Sequence, residues 1–440
     1  MTDLLAARSQ MAMSLGFHIL FAIAGMAMPV LMISADAMYR RTGKPVYLAL
    51  SKRWSNGTAL LFAVGAVSGT VLSFELGLLW PRFMELAGPV IGFPFSLEGF
   101  AFFFEAIFLG LYIYGRDRLS ANMHFFSGVI VALSGLASGV FVVAVNAWMN
   151  NPGGIVVVDG VITDVDLVQA FWSPAFATQA FHTAASAYSA IACVVLGIHS
   201  WRLLKTPKSE FHRSAVRIAF GLAVVAIPLQ ILSGDLAAKH IAAEQPTKLA
   251  AAEGLFETGR NVPISIGGLP DEATAQTHYA IEIPGVLSFL ATGSFDGEVK
   301  GLNDFPRDEW PPVMVTHIAF QIMVGIGFAM MGLVAWGVLI RTRKRQLWDS
   351  PRFLKAAMIV GPLSLVAVEA GWVVTEVGRQ PWIIRGVMRT ADAVTPMPQL
   401  VVPFLAFTVL YLVLGFVVIV LLRRHVFSAP TDISSDGPLP

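Results

Sequence analysis

Nine stretches of about 20 or more mostly apolar residues divide this chain, and they limit the fold more than any other feature. A helix needs about 20 apolar residues to cross the hydrocarbon of a bilayer, where every backbone polar group must be satisfied within the segment. The stretches cover about 12–35, 57–80, 94–114, 124–148, 178–201, 214–235, 313–340, 354–375 and 400–422. They predict an all-α integral membrane protein with nine transmembrane helices and a long loop between spans 6 and 7. Composition agrees. Of 440 residues, 55% are hydrophobic and 13% charged, whereas soluble domains carry about a quarter charged residues. A net charge of +1 gives no sign of a nucleic-acid partner. The first run is too long for the apolar region of a signal peptide, carries a histidine, and is followed by a poor cleavage site, "SADA".

Residues 1–235 are read as membrane helices 1–6, 236–312 as a long loop, and 313–425 as helices 7–9. Residues 426–440 are read as a polar, Pro-rich, disordered tail. Lys and Arg crowd the connections 1–2, 3–4, 5–6 and 7–8 and the start of the tail; Arg40, Arg41, Arg116, Lys205, Arg343 and Arg423 are examples. The positive-inside rule then places the N-terminus outside and the C-terminus in the cytoplasm, with the long loop outside.

Ionisable groups at membrane depth cost at least about 2.5–3.5 kcal/mol each, so each asks for a function. They are His18 in span 1, Glu98 and Glu105 in span 3, His182 at the start of span 5, His317 in span 7, and Glu369 and Glu376 in the outer half of span 8 and just beyond it. Glu98 and Glu105 are seven residues apart, so they share a helix face about 10 Å apart along the axis. Met323 and Gln321 lie near His317. Taken singly, each histidine could be a hydrogen-bonded interior residue, Met323 a core filler, and the carboxylates an ion pathway. Five of these side chains, His18, Glu98, His182, Met323 and Glu376, come from five spans yet all fall in the outer half. The single cysteine, Cys193, excludes an intrachain disulfide, a Cys-ligated iron–sulfur cluster and a CxxCH haem attachment. A redox cofactor here must use His, Met or carboxylate ligands.

The motif "GWVVTEVGRQPW" at 371–382 carries a specific resemblance, supported by "LEGFAFFFEAIFLGLYIYG", "NAWMNNP", "FHTAASAY" and "TKLAAAEGLFET". Over about 1–425 the chain resembles subunit I of the cytochrome bd-type quinol oxidases, most closely the cyanide-insensitive branch. The resemblance implies three haems: a low-spin haem b, a high-spin haem b, and a haem d or further haem b at the oxygen site. It implies quinol and O2 as substrates, a second membrane subunit, room for a small single-span subunit, and a bacterial or archaeal plasma membrane as the location. By motif, His182 and Met323 match the axial pair of the low-spin haem, and His18 an axial ligand of a high-spin haem. Glu376 matches the carboxylate ligand of the other high-spin haem, and Glu98 a residue at the oxygen-reducing haem. Glu105 matches a proton-path carboxylate, Trp372 and Arg379 residues near the haems, and Lys248 and Glu253 the quinol-binding loop. Gln321 stands where enterobacterial members carry an Arg near the haem propionates, which bears on the low-spin haem's potential. The residues alone leave His317 open as an alternative low-spin ligand; the resemblance favours His182.

On a continuing helix Trp372, Glu376 and Arg379/Gln380 would share one face, placing Arg379 to pair with haem propionates. Two other classes stay open on residue chemistry alone. An ion-coupled transporter would be colourless, and a haem b subunit that hands electrons to a partner would not react with oxygen.

Overall fold

The computed structural model describes residues 1–158 and 160–427. Among these are nine helices long and apolar enough to span a membrane. They are α1 (Asp3–Thr42), α2 (Pro45–Leu79), α3 (Pro81–Tyr114), α4 (Ala121–Asn150), α5 (Phe176–Lys205), α6 (Glu210–Glu244), α7 (Val313–Thr342), α8 (Pro351–Val377) and α9 (Val401–Leu422). Most run beyond the apolar stretches. Hydropathy marks only the part that lies in hydrocarbon, while capping residues set the true ends. Thr2, Ser120, Ser209 and Ser350 each accept a backbone N–H at a helix start. Pro45, Pro81 and Pro351 open their helices at the first position, where no N–H is needed. The chain leaves α1 through Gly43 at φ 67°, a left-handed turn that glycine adopts without strain.

The helices form two four-helix bundles. In the first, α1 packs on α2 and α4, and α3 on α4; in the second, α5 packs on α6 and α8, and α7 on α8 and α6. Contacts of α1 and α4 with α5 join the bundles, and α9 lies outside against α1 and α2. Lipid offers no hydrophobic drive between helices, so close packing of small residues must supply it. At the α5–α8 crossing, a Cβ on Gly197 would stand 2.8 Å from the carbonyl oxygen of Ala357 and 3.3 Å from the Cα of Gly361. An alanine at Gly197 would force the two helices apart. Leu31, Met32, Leu50, Leu196 and Phe353 belong to one buried cluster that continues through both bundles.

The long connection between α6 and α7 starts later than expected, because α6 runs on to Glu244. It is ordered. A short helix, Pro246–Glu253, ends at Gly254. Three antiparallel pairs follow: Gly259–Arg260 with Glu298–Val299, Ile264–Ile266 with Ile281–Ile283, and Leu269–Asp271 with Gln276–His278. Other small hairpins lie between α4 and α5 (Ile155–Val158 with Val161–Val165) and after α8 (Trp382–Ile384 with Met388–Arg389). At the far end of the chain, a last turn at Arg423–Phe427 includes the first two residues of the expected tail, and 428–440 lie outside the described residues.

Candidate functional site

In the second bundle, α5 and α7 begin at the loop end while α6 and α8 finish there. That topology brings residues early in α5 and α7 level with residues late in α6 and α8. His182, on α5, has Nδ1 3.1 Å from the hydroxyl of Ser233 on α6. Fixing one imidazole nitrogen in this way orients the ring and favours the other nitrogen as a ligand. The Gln230 side-chain nitrogen lies 3.3 Å from Nε2 and would have to swing aside for that nitrogen to serve as a ligand. Met323, on α7, packs with Ala319, Ala370 and Val374 at the α7–α8 contact. Its sulfur lies 3.1 Å from where a Cβ on Gly371 would stand.

In the first bundle, His18 on α1 has Nδ1 3.0 Å from the Ser68 hydroxyl on α2. Its ring sits so close to α2 that a Cβ at Gly69 would come within 2.9 Å of Cε1, so glycine is required for this approach. Glu98 accepts from Ser138 of α4 at 3.2 Å. Glu105 is buried at 4% exposure between Gly25 of α1 and Gly135 of α4, and its Oε1 has no hydrogen-bond partner. Both carboxyls therefore meet α4, as expected of two residues on one face of α3.

The end of α8 closes the seam between the bundles. Glu376 accepts from Asn146 of α4 on one oxygen and from Arg379 on the other, the latter at 2.5 Å. The helix stops at Val377 rather than carrying Arg379 and Gln380 on the face of Trp372. Pro381 disfavours helix at the residue before it and lacks the N–H to continue. Arg379 reaches Glu376 by folding back from the turn. It is 5% exposed, yet its Nε and Nη1 have no partner. A buried guanidinium so incompletely paired is costly, and an anionic group such as a haem propionate fits it. Trp372 packs at the margin of the main core.

One turn beyond Asn146, Asn150 accepts from the ammonium of Lys248 in the short loop helix, which also donates to the carbonyl of Thr375 at 3.4 Å. Burial pushes Lys248 down to about 7, with Arg379 adding to the effect and Glu376 opposing it. Glu253 ends the same helix, 5% exposed, with Oε2 unpartnered. Burial pushes its carboxyl up to about 8. A cleft of about 150 Å³ opens beside Lys248, Arg379, Gln380, Trp382 and Arg385.

His317 and Gln321 do not join this group. His317 has Nδ1 2.9 Å from the carbonyl of Ala252 and Nε2 3.0 Å from that of Gly267. A neutral imidazole has one N–H and donates to one of these carbonyls, while its other nitrogen faces a carbonyl oxygen, so neither is open to bind iron. Gln321 donates to the carbonyl of Ser265 at 2.8 Å and accepts from the N–H of Gly267 at 3.0 Å, so its amide holds the loop at both ends. Asn146, Asn150, Ser68 and Ser233 carry contacts that no sequence signal assigned to them, although "NAWMNNP" contains both asparagines. Glu75, absent from the sequence-based candidates, is 1% exposed on α2 and accepts from Gln10 at 3.0 Å.

The donor set suits haem: an anchored imidazole in each bundle, a thioether, an oriented carboxylate and an underpaired arginine. A family model described as cytochrome bd terminal oxidase subunit I matches residues 6–430. The chain belongs to that family. As a cytochrome bd subunit I, it is a multi-pass, haem-bearing subunit of a terminal quinol oxidase, working with a partner subunit on quinol and O2. It is 39% identical to a putative cytochrome bd menaquinol oxidase subunit I of Bacillus subtilis (strain 168), over 98% of both chains. It is 25% identical to the cytochrome bd-II ubiquinol oxidase subunit 1 of Escherichia coli (strain K12), again over 98% of each. The solved bd oxidase from Geobacillus thermodenitrificans contains a chain that superposes with a TM-score of 0.92 at 38% identity, covering 98% of this cytochrome bd subunit and 99% of that chain.

Proposed function

We propose that His182 and Met323 hold a low-spin haem b. His18, Glu98 and Glu376 then serve a high-spin pair, a haem b and a haem d or further haem b. The carrying observation is the α4 face where Asn146 holds Glu376 and Asn150, one turn on, holds Lys248. That pairing sets the candidate haem carboxylate and the candidate quinol lysine side by side. The haems, when bound, supply one-electron transfer and oxygen reduction. The protein's own groups do the rest. Lys248 donates a hydrogen bond to a quinol oxygen, and Glu253 accepts a hydroxyl proton. Arg379 holds Glu376 by one Nη2 bond and keeps two nitrogen positions for propionate. Glu105 and Glu98 carry protons along the α3–α4 contact toward the high-spin site.

With the N-terminus and the loop outside, quinol protons leave outward while consumed protons arrive from the cytoplasm. The cycle then builds a membrane potential without a pump. A small single-span subunit would complete the assembly beside the partner subunit, and a bacterial or archaeal plasma membrane would house it.

Glu253 gives the test. Its carboxyl works as a base only when ionised, and burial holds it protonated up to about 8. Quinol kcat/KM should therefore rise with pH and reach half its maximum near 8. Glu253→Gln should flatten that limb and lower kcat/KM about 100-fold. An unchanged limb in Glu253→Gln would remove Glu253 from the reaction.

A further inference from the structure

His317 is fully buried and lies at the loop end of α7. Its ring touches two separate parts of the loop at once: Ala252, next to Glu253 in the short helix, and Gly267, just past the strand Ile264–Ile266. One turn along the same face, Gln321 grips Ser265 and Gly267 from both ends of its amide. The Thr277 hydroxyl donates to the carbonyl of Gly254 at 2.6 Å, tying a neighbouring hairpin to the end of the Glu253 helix. The only cysteine, Cys193, is buried in α5, so no disulfide braces the loop. Two residues past Gln321, α7 carries Met323. The helix that offers a thioether on one side thus holds the loop with another.

We propose that His317 and Gln321 are positioning residues for quinol oxidation, a two-point latch that fixes Glu253 against α7. This rests on the reading of Glu253 as a quinol group. The latch acts through its geometry. The ring stands between two carbonyl oxygens and its one N–H donates to one of them at a time; the buried Ala252 carbonyl left without that donor would favour a displaced loop. Opening the latch moves Glu253 away from bound quinol without touching His182 or Met323, so it weakens use of the substrate and spares the haem.

The test uses the assembled oxidase in membranes. His317→Phe fills the space but supplies no donor; His317→Gln keeps part of the bonding; Gln321→Ala removes the second grip. The expected result for His317→Phe is a quinol kcat/KM lowered about tenfold, the equivalent of about one buried hydrogen bond. The dithionite-reduced haem spectrum should stay that of the wild type. Trypsin should cut faster at Arg260 and Lys300, both exposed in the loop. His317→Gln should recover part of the kcat/KM, and Gln321→Ala should lower it in the same direction as His317→Phe. Should His317→Phe fail to assemble, Gln321→Ala carries the test alone. Wild-type kcat/KM and wild-type cleavage in the assembled variants overturn the latch. An unchanged kcat/KM in Glu253→Gln would sink the reading of Glu253, and the cleavage rates would still decide whether the latch exists.

Discussion

His182→Ala should lose the absorption bands of the low-spin haem and lower quinol-driven oxygen uptake by at least about 100-fold. The imidazole stands between α5 and α6, fixed by Ser233. Alanine removes the imidazole nitrogen that would ligate the haem, and the anchoring serine cannot replace it. The bands of the high-spin pair should survive, because His18 and Glu376 belong to α1 and α8 and take their hydrogen bonds from Ser68, Asn146 and Arg379. Helical circular dichroism should hold, since the substitution shortens one side chain in an otherwise intact bundle. Spectra and oxygen-electrode rates on membranes from the same preparation check both halves. His182→Ala with its low-spin bands untouched would pass the ligand role to another residue.

Glu105→Gln should leave all haem bands in place and cut oxygen uptake about 100-fold, within the usual range for losing a positioned proton-transfer group. Glu105 is buried between α1 and α4, two helical turns along α3 from Glu98, with an oxygen that no protein group satisfies. Glutamine keeps its size and polarity, so packing against Gly25 and Gly135 should persist. What it cannot do is take up and release a proton. Glu105→Ala should be as slow and less stable, because it also leaves a cavity. Wild-type turnover in Glu105→Gln would show that protons reach the site by another route.

The nine spans were legible in the sequence because hydropathy reports the cost of each residue in hydrocarbon directly. Their lengths were not. Caps such as Thr2 and Ser209 act on backbone groups just beyond the apolar window. Glu98, Glu105, His182 and Glu376 stood out because charge is expensive in a membrane. Asn146, Asn150, Ser68 and Ser233 did not, because neutral polar residues cost little, and their partners lie far away in sequence. Asn146 and Glu376 are 230 residues apart. His317 and Gln321 could not be assigned from the sequence, since what they bind is backbone, which has no sequence signature. The expected helical face through Arg379 failed for a local reason, the proline at 381, yet the side chain regained Glu376 from the turn.

The most direct measurement is a reduced-minus-oxidised spectrum of the purified oxidase, taken with and without carbon monoxide. Haem ligation by these side chains predicts low-spin b bands that ignore carbon monoxide and high-spin bands that shift with it. A colourless protein, or one whose bands are all indifferent to carbon monoxide, would contradict it.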